Sequence, residues 1–204
     1  MELCIADLAV SRGERTVLSG VSFTVRAGEA LIVTGVNGAG KTTLLHTVAG
    51  FVSASAGTIR LDGGSAEHSI LEQCHLIGHA NGIKASLTVA ENAEFWARYL
   101  GGSDAFADSA LERLGLSHIG DVPAGYLSAG QKRRLGLSRL LLAQRPLWLL
   151  DEPTAWLDAA GEQTVAAMIE THLDGGGLVL AASHLPLDLA RKRELRLEAK
   201  TATP

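Results

Sequence analysis

One eight-residue segment restricts the fold more than any other feature of the chain. Residues 35–42 read Gly-Val-Asn-Gly-Ala-Gly-Lys-Thr and match the pattern G-x-x-x-x-G-K-[ST] at every defined position. An apolar, β-prone run at 30–34 precedes the segment, and a run of helical character at 43–49 follows it and closes at Gly50. Strand, glycine-rich loop and helix in this order predict that phosphate groups bind at a helix N-terminus, where the helix dipole favours negative charge.

The glycines and the two polar residues of this loop have separate roles. Gly35, Gly38 and Gly40 allow backbone conformations that a side chain would block, so that successive N–H groups point inward around the phosphates. Lys41 reaches towards the β- and γ-phosphates, and the Thr42 hydroxyl is placed to bind Mg²⁺. We therefore predict a nucleoside triphosphate site with Mg²⁺, formed by Gly35, Val36, Asn37, Gly38, Ala39, Gly40, Lys41 and Thr42.

The charge balance and the apolar runs exclude several classes of protein. A net charge of −4 gives no support for nucleic-acid binding, which usually needs a basic face. The longest apolar runs, such as residues 147–150, are far shorter than the roughly 20 residues that span a bilayer. Residues 1–7 are acidic, where a secretory signal would be basic. We expect a soluble, intracellular protein in which Cys4 and Cys74, lacking metal-ligand spacing, are buried free thiols.

The order of apolar patterns predicts an α/β fold. Two β-prone runs separated by a turn suggest an N-terminal antiparallel hairpin, and continuous apolar runs further on are typical of buried parallel strands. A stretch of helix formers lies between the two groups, beginning at the capping box Thr88-Val89-Ala90-Glu91. Strands are predicted at 2–10, 16–25, 30–34, 57–64, 75–77, 147–150, 178–182 and 194–198, the last at an edge. Helices are predicted at 43–49, 88–100, 104–114, 131–143 and 158–172.

Two further segments carry candidate functional residues. Residues 127–131, Leu-Ser-Ala-Gly-Gln, form a Ser/Gly turn before a helix, so Ser128 and the adjoining amides can meet an anion; taken alone, the serine is equally well explained as an N-cap. The apolar strand at 147–150 ends in Asp151 and Glu152. Asp151 can hold Mg²⁺ through a water molecule, and Glu152 can act as general base on an attacking water. A chance pair of acids at a strand end is the alternative for these two residues.

These segments, in this order, resemble those of ATP-binding cassette (ABC) proteins. Residues 127–131 are similar to the LSGGQ motif with Ala129 in place of one glycine, and residues 154–158 resemble the D-loop, with Trp156 where a small residue is more usual. His184 follows a buried strand, as the switch histidine does. The resemblance implies an ABC-type P-loop core with an N-terminal antiparallel β subdomain and an inserted α-helical subdomain at about 86–143. The resemblance extends over residues 1–198, which we predict to be a single domain, and residues 199–204 are predicted to be a C-terminal tail.

The resemblance also implies roles for individual residues. In this family two cassettes enclose two ATP molecules, each nucleotide lying between the phosphate loop of one subunit and the LSGGQ-like loop of the other. Thr43 would join the phosphate and Mg²⁺ site. Glu152 would activate water, and His184 would hold that water and the γ-phosphate in line. Ser128 and Gly130 would reach the other subunit's γ-phosphate, and Gln131 and Asp158 would also belong to the nucleotide-binding residues.

The chain departs from the family pattern at two places. Near position 12 the family has an aromatic residue that stacks on adenine, whereas this chain has Arg12; its guanidinium can stack instead, or simply be solvated. The family's glutamine after the strand at 75–77 is missing, and Asn81 is the nearest amide that can replace it.

Within the family, the segments 78–92 and 127–134 and the Trp148 strand resemble the ATP-binding subunits of cytochrome c biogenesis (haem export) transporters. That resemblance implies a peripheral protein on the cytoplasmic face of a bacterial inner membrane, paired with a second copy of itself and with an integral membrane subunit. Haem would be handled only indirectly, because a lone loop histidine such as His79 has no second axial candidate. A cassette for another substrate, or a non-transport ABC ATPase, remains an alternative.

Overall fold

The computed structural model describes residues 1–198, which form two compact units. The first comprises Met1–Gly78, Arg145–Glu152 and the described residues from Met168 onward, and the second comprises His79–Gln144 and Pro153–Ala167. The strands are β1 Glu2–Arg12, β2 Arg15–Arg26, β3 Glu29–Thr34, β4 Ala56–Asp62, β5 Cys74–Ile77, β6 Leu147–Asp151, β7 Leu178–Ala182 and β8 Lys192–Arg196. The helices are α1 Lys41–Val48, α2 Val89–Tyr99, α3 Asp104–Arg113, α4 Ala129–Leu137, α5 Arg139–Leu142 and α6 Ala159–Asp174.

An antiparallel sheet of order β2-β1-β4 contains the predicted N-terminal hairpin. Its strands pair from Glu2 opposite Arg26 to Arg12 opposite Arg15. The chain reverses through Gly13, whose φ of 59° is a left-handed conformation that glycine adopts without steric cost. The hairpin prediction is therefore confirmed.

A parallel sheet of order β5-β6-β7-β3-β8 forms the centre of the first unit. Every residue of β6 and β7 is buried, as expected for parallel strands covered on both faces. Asp151 lies opposite Ala182, and Ala182 lies opposite Val33, so β6, β7 and β3 end at the same edge of the sheet. This edge positions the polar residues that follow the three strands.

The second unit contains α2 to α5. The capping box predicted at the start of α2 is present, with the Thr88 hydroxyl accepting from the Glu91 N–H and the Glu91 carboxylate accepting from the Thr88 N–H. The single helix predicted at 131–143 is wrong. The helical residues instead begin at Ala129, because Ser128 and Gln131 form a second capping box, and are interrupted at Ser138. The Ser138 hydroxyl donates to the Leu135 carbonyl at 2.7 Å, a local bond that competes with regular helix geometry.

Other element bounds shift for local reasons. Helix α6 begins at Ala159 rather than 158, because the Asp158 carboxylate accepts from the Gly161 N–H and caps the helix from outside. Strand β8 is an edge strand as predicted but starts at Lys192, two positions earlier. The predicted tail, 199–204, lies outside the described residues, and the limits of a single domain at 1–198 stay a prediction. No helix in residues 1–198 combines the length and hydrophobicity needed to cross a bilayer.

The two cysteines are free but differ in environment. Cys74 is buried, as predicted, and burial raises the pKa of its thiol to about 12. Cys4 is only partly buried and its Sγ lies 3.6 Å from an Asp62 carboxylate oxygen, so the prediction of burial is wrong for this residue. Cys4 lies on the central strand β1, paired with Thr24 of β2 and with Arg60 of β4.

A histidine packs beneath the central sheet. The His172 ring stacks on Trp148 with 3.9 Å between ring centroids and 8° between planes. Gly177 leaves room for the ring, since a Cβ there would lie 2.2 Å from His172 Nε2. Burial lowers the pKa of His172, because the charged imidazolium loses hydration inside the protein.

This lowered pKa predicts a loss of stability in mild acid. Above the unfolded-state pKa of about 6.5, both states carry a neutral ring and His172 adds no pH dependence. As the pH falls below that value, the unfolded chain binds a proton that the folded chain does not, so the free energy of unfolding decreases. Urea unfolding between pH 7.5 and 5.5 should show this decrease, and His172→Gln should flatten it. The exposed His118 provides the control, because His118→Gln should keep the parent slope; a parent slope in His172→Gln would contradict the assignment.

Candidate functional site

The phosphate loop connects β3 to α1 and depends on two glycines. Gly35 has φ 141°, and a Cβ there would lie 2.5 Å from the Leu197 carbonyl oxygen. Gly40 caps α1 with φ 97°, and a Cβ there would lie 2.7 Å from Leu18 Cδ2. Both positions exclude a side chain by backbone conformation and by space. The loop therefore presents its backbone at the N-terminus of α1, as the motif predicts.

Lys41 places a positive charge at this loop. Its side chain is buried, and its Nζ donates to the carbonyl oxygens of Gly35 at 2.7 Å and Val36 at 3.3 Å. These bonds hold the ammonium group against the loop rather than in open solvent. A cation held by two loop carbonyls beside a helix N-terminus is suited to an anion with several charges.

Thr42 and Asp151 form a second polar pair. The Thr42 hydroxyl donates to Asp151 Oδ2 at 2.7 Å, although the residues are 109 positions apart in sequence. Asp151 is buried at the end of β6, and Thr42 lies in the first turn of α1. A hydroxyl and a carboxylate oxygen match the hard oxygen ligands that Mg²⁺ prefers, and Mg²⁺ is usually held by one or two carboxylates together with substrate phosphates. The donor set therefore fits the predicted metal.

Glu152 and His184 meet beyond the ends of β6 and β7. His184 Nδ1 lies 2.7 Å from Glu152 Oε2, and the His184 N–H donates to the same oxygen at 3.2 Å. Glu152 has φ 48°, a left-handed conformation, and its N–H donates to the Ala182 carbonyl at 2.8 Å. The carboxylate is 20% exposed and the imidazole 57% exposed, so a water molecule can reach both. A carboxylate held by histidine next to a phosphate site is a candidate general base.

Residues around the LSGGQ-like loop lie in the second unit. The Ser128 hydroxyl accepts from the Gln131 N–H at 3.2 Å, and Gln131 Oε1 accepts from the Ser128 N–H at 2.9 Å. The N-cap role that the sequence left open is thus observed, and the anion contact stays a prediction. A Cβ at Gly130 would lie 2.9 Å from the Trp156 carbonyl oxygen, so this position needs glycine. Asp158 caps α6 as described above.

The predicted site residues therefore fall into two groups. The first unit brings together residues 35–43 with Asp151, Glu152 and His184, and the second unit holds Ser128, Gly130, Gln131 and Asp158. Arg12 is exposed at the end of β1, and its contact with adenine stays a prediction.

One residue with polar contacts in this region was missed by sequence reasoning. Arg133 on α4 is fully buried; its Nε donates to the Pro153 carbonyl at 3.2 Å and its Nη1 to Asn81 Oδ1 at 3.1 Å. A basic triplet, residues 132–134, suggests a solvated surface. The overlooked signal is helical spacing, which places Arg133 four residues before the buried Leu137.

Comparison with known proteins agrees with this geometry. The sequence pattern of the ABC transporter family matches residues 18–155. A cytochrome c biogenesis ATP-binding export protein CcmA from Bradyrhizobium diazoefficiens is 50% identical over 197 residues, which cover 97% of this chain and 98% of the relative. The protein of the same name from Rhodopseudomonas palustris (strain BisB5) is 48% identical over 188 residues, covering 92% of this chain and 94% of the relative.

The fold also matches a solved structure. An ABC transporter ATP-binding protein from Pyrococcus furiosus superimposes with a TM-score of 0.84 at 25% identity, covering 97% of this chain and 98% of that chain. The ABC-type α/β fold expected from the sequence is therefore confirmed. Because the family pattern covers more than half of the chain and the relatives align over nearly all of it, the chain belongs to the ABC transporter family, in the group of the cytochrome c biogenesis ATP-binding export proteins.

Proposed function

We propose that this chain is the ATP-binding and ATP-hydrolysing subunit of an ABC exporter that acts in cytochrome c biogenesis and handles haem indirectly. The observation that carries the proposal is the Glu152–His184 pair, 2.7 Å apart, at the sheet edge where the phosphate loop also begins. A binding module has no use for a general base at this place. Relatives named for ATP binding and for export in cytochrome c biogenesis support the same activity and pathway.

The geometry supports hydrolysis by attack of water on the γ-phosphate. The loop amides and Lys41 bind the phosphate oxygens, which fixes the γ-phosphate relative to the sheet edge. Glu152 accepts a proton from the attacking water, and His184 keeps the carboxylate oriented and contacts the γ-phosphate. Thr42 and Asp151 would hold Mg²⁺, with Asp151 acting through water. Bound Mg²⁺ supplies charge neutralisation at the β- and γ-phosphates.

A second copy of the chain completes the site in this proposal. Ser128, Gly130, Gln131 and Asp158 would contact the nucleotide held by the partner's phosphate loop, and the two-fold arrangement would make both sites equivalent. ATP then favours the closed dimer over the open one by its differential affinity for the two states, and hydrolysis removes that preference. The helix N-terminus at Ser128, where the helix dipole favours negative charge, is suited to the partner's γ-phosphate.

An integral membrane subunit, CcmB-like, is the further partner. Export needs a path across the bilayer, and the family is one of transporters. We place the chain peripherally on the cytoplasmic face of the bacterial inner membrane, where ATP is available. Substrate selection then belongs to the other chains, and Asn81 would take the place of the missing glutamine that links the nucleotide site to the membrane subunit.

Glu152→Gln tests the catalytic assignment. The amide keeps the size of the side chain but accepts protons poorly, so turnover should fall by about 10²–10⁴-fold while ATP binding is retained. Steady-state phosphate release and equilibrium nucleotide binding measure the two effects. Gel filtration with ATP and Mg²⁺ should show a trapped dimer of the variant. A variant that stays monomeric at high concentration would contradict the dimeric site.

The same variant also tests the pathway. In a bacterium lacking its own subunit of this exporter, the parent chain should restore haem attachment to c-type cytochromes, detected by haem staining. Glu152→Gln should not restore it. If Glu152→Gln did restore haem attachment, the chain's role in the pathway would not depend on ATP hydrolysis.

Lys41→Ala tests the phosphate site. Removing a cation that makes charge-assisted bonds to two phosphates should weaken ATP binding by about 10²-fold or more. Fluorescent ATP titration provides the affinity. The exposed Lys84 serves as the matched control, since Lys84→Ala should bind ATP as the parent does. Parent affinity in the Lys41 variant would refute the assignment.

Arg12→Ala tests the proposed adenine contact. A guanidinium stacked on the base contributes on the order of 0.5–2 kcal/mol, so loss of the side chain should weaken ATP binding by about 2–30-fold. Equilibrium nucleotide binding measures this affinity. Arg15, opposite Arg12 in the hairpin, is the control, because Arg15→Ala should keep the parent affinity. An unchanged affinity for ATP in Arg12→Ala would remove Arg12 from the site.

A further inference from the structure

The backbone of Glu152 adopts an energetically unfavourable conformation. Its φ of 48° is left-handed, and the next residue is Pro153, which favours extended backbone in the residue before it. Sparsely populated backbone conformations cost free energy and persist only where neighbouring contacts enforce them. The Glu152 N–H donates to the Ala182 carbonyl, which anchors the residue on its N-terminal side. An equivalent contact is needed on its C-terminal side.

Arg133 supplies that contact. Its Nε donates to the carbonyl oxygen of Pro153 at 3.2 Å, and this carbonyl belongs to the residue bonded directly to Glu152. The guanidinium is fully buried, so water does not compete for the bond. The group is planar with donors in fixed directions, and it therefore specifies where the carbonyl lies better than a lysine would.

The other side of the guanidinium is also held in place. Nη1 donates to Asn81 Oδ1 at 3.1 Å, and Asn81 packs on the same helix, where a Cβ at Gly136 would lie 2.9 Å from Asn81 Cβ. The next residue, Gly82, is also held, because Trp96 Nε1 donates to its carbonyl at 2.8 Å. The loop that contains Asn81 and Gly82 is therefore anchored at both residues. Arg133 thus joins α4, this loop and the segment after Glu152 within the second unit.

Burying this guanidinium has a cost that packing alone does not explain. Burial, and then the charge of Arg133, lower the pKa of Arg139 to about 10. Replacing buried ions with apolar residues of similar size is often neutral or stabilising. An apolar residue would fill the volume at position 133 but could not fix the Pro153 carbonyl.

We propose that Arg133 is a positioning residue for the general base, acting on Glu152 through the Pro153 carbonyl. The inference rests on the proposed ATPase function, in which Glu152 activates water. It adds α4, the helix that begins at Ser128, to the elements that determine where the Glu152 carboxylate lies.

Arg133→Met in the full chain tests the proposal. Methionine fills similar space without a donor, so kcat for ATP should fall by about 10–10²-fold, the cost of displacing a catalytic group by about 1 Å, while KM changes little. Arg133→Lys, which keeps one donor, should recover part of the loss. Arg139→Gln is the matched control, because Arg139 is a half-buried arginine of the same unit whose guanidinium lies over Trp96. Its loss should lower the melting temperature without lowering kcat.

A double-mutant cycle distinguishes positioning from general destabilisation. If Arg133 acts through Glu152, adding Arg133→Met to Glu152→Gln should cause no further fall in turnover. The same fall in both backgrounds, or an unchanged kcat in the single variant, would overturn the proposal. If Glu152→Gln itself keeps the parent turnover, the proposed catalytic function fails instead.

Hydrogen exchange provides a readout that does not require turnover. The Glu152 amide should exchange faster in Arg133→Met, because its bond to the Ala182 carbonyl is no longer supported from the C-terminal side. Arg139→Gln should leave that amide at the parent rate. Parent-like protection of the Glu152 amide in Arg133→Met would overturn the positioning role even in a preparation that hydrolyses no ATP.

Discussion

Three buried parallel strands that end at one edge of a sheet determine the chemistry of this protein. Strands β3, β6 and β7 lie side by side, and the polar segments at their ends are the phosphate loop, Asp151 with Glu152, and Ser183 with His184. Apolar side chains along the strands fix their register, since a shift would move buried residues out of the core. Contacts across 109 residues of sequence, such as Thr42 to Asp151, are consequences of that register.

The site combines a permissive backbone with a strained one. Glycines give the phosphate loop its shape without steric cost, whereas Glu152 adopts a left-handed conformation against its own preference. Strain of this kind persists where surrounding contacts outweigh it. Here a strand carbonyl holds the residue on one side and a buried guanidinium holds its neighbour on the other. The carboxylate is directed by its surroundings, as expected for a group that must meet a water molecule at a defined place.

Local patterns in the sequence were sufficient for much of this structure. The phosphate loop, the apolar strand at 147–150 and the capping box at Thr88 depend on neighbouring residues, and each is present. The interruption at Ser138 was not predicted, because a serine hydroxyl in a helix can point to solvent or to a carbonyl with little difference in sequence. Edge strand β8 is highly charged and mostly exposed, so no alternation marked where it begins.

The residues that sequence reasoning missed are those whose partners are distant. Arg133 bonds to Asn81, 52 positions away, and its charge suggests a solvated side chain until that partner is known. The two interpretations of Ser128, as an N-cap and as an anion contact, also differ in how distant the partner is. Its capping role is local and visible, whereas a role towards a second nucleotide depends on another copy of the chain.

The contact between Gly35 and Leu197 has a consequence for biosynthesis. Gly35 packs against the carbonyl of a residue that follows the last strand, and the Leu197 N–H donates to the Thr34 carbonyl beside it. A nascent polypeptide leaves the ribosome from its N-terminus, so the loop emerges long before the residues that support it. The phosphate loop therefore lacks the support of Leu197 until the chain as far as position 197 has left the ribosome.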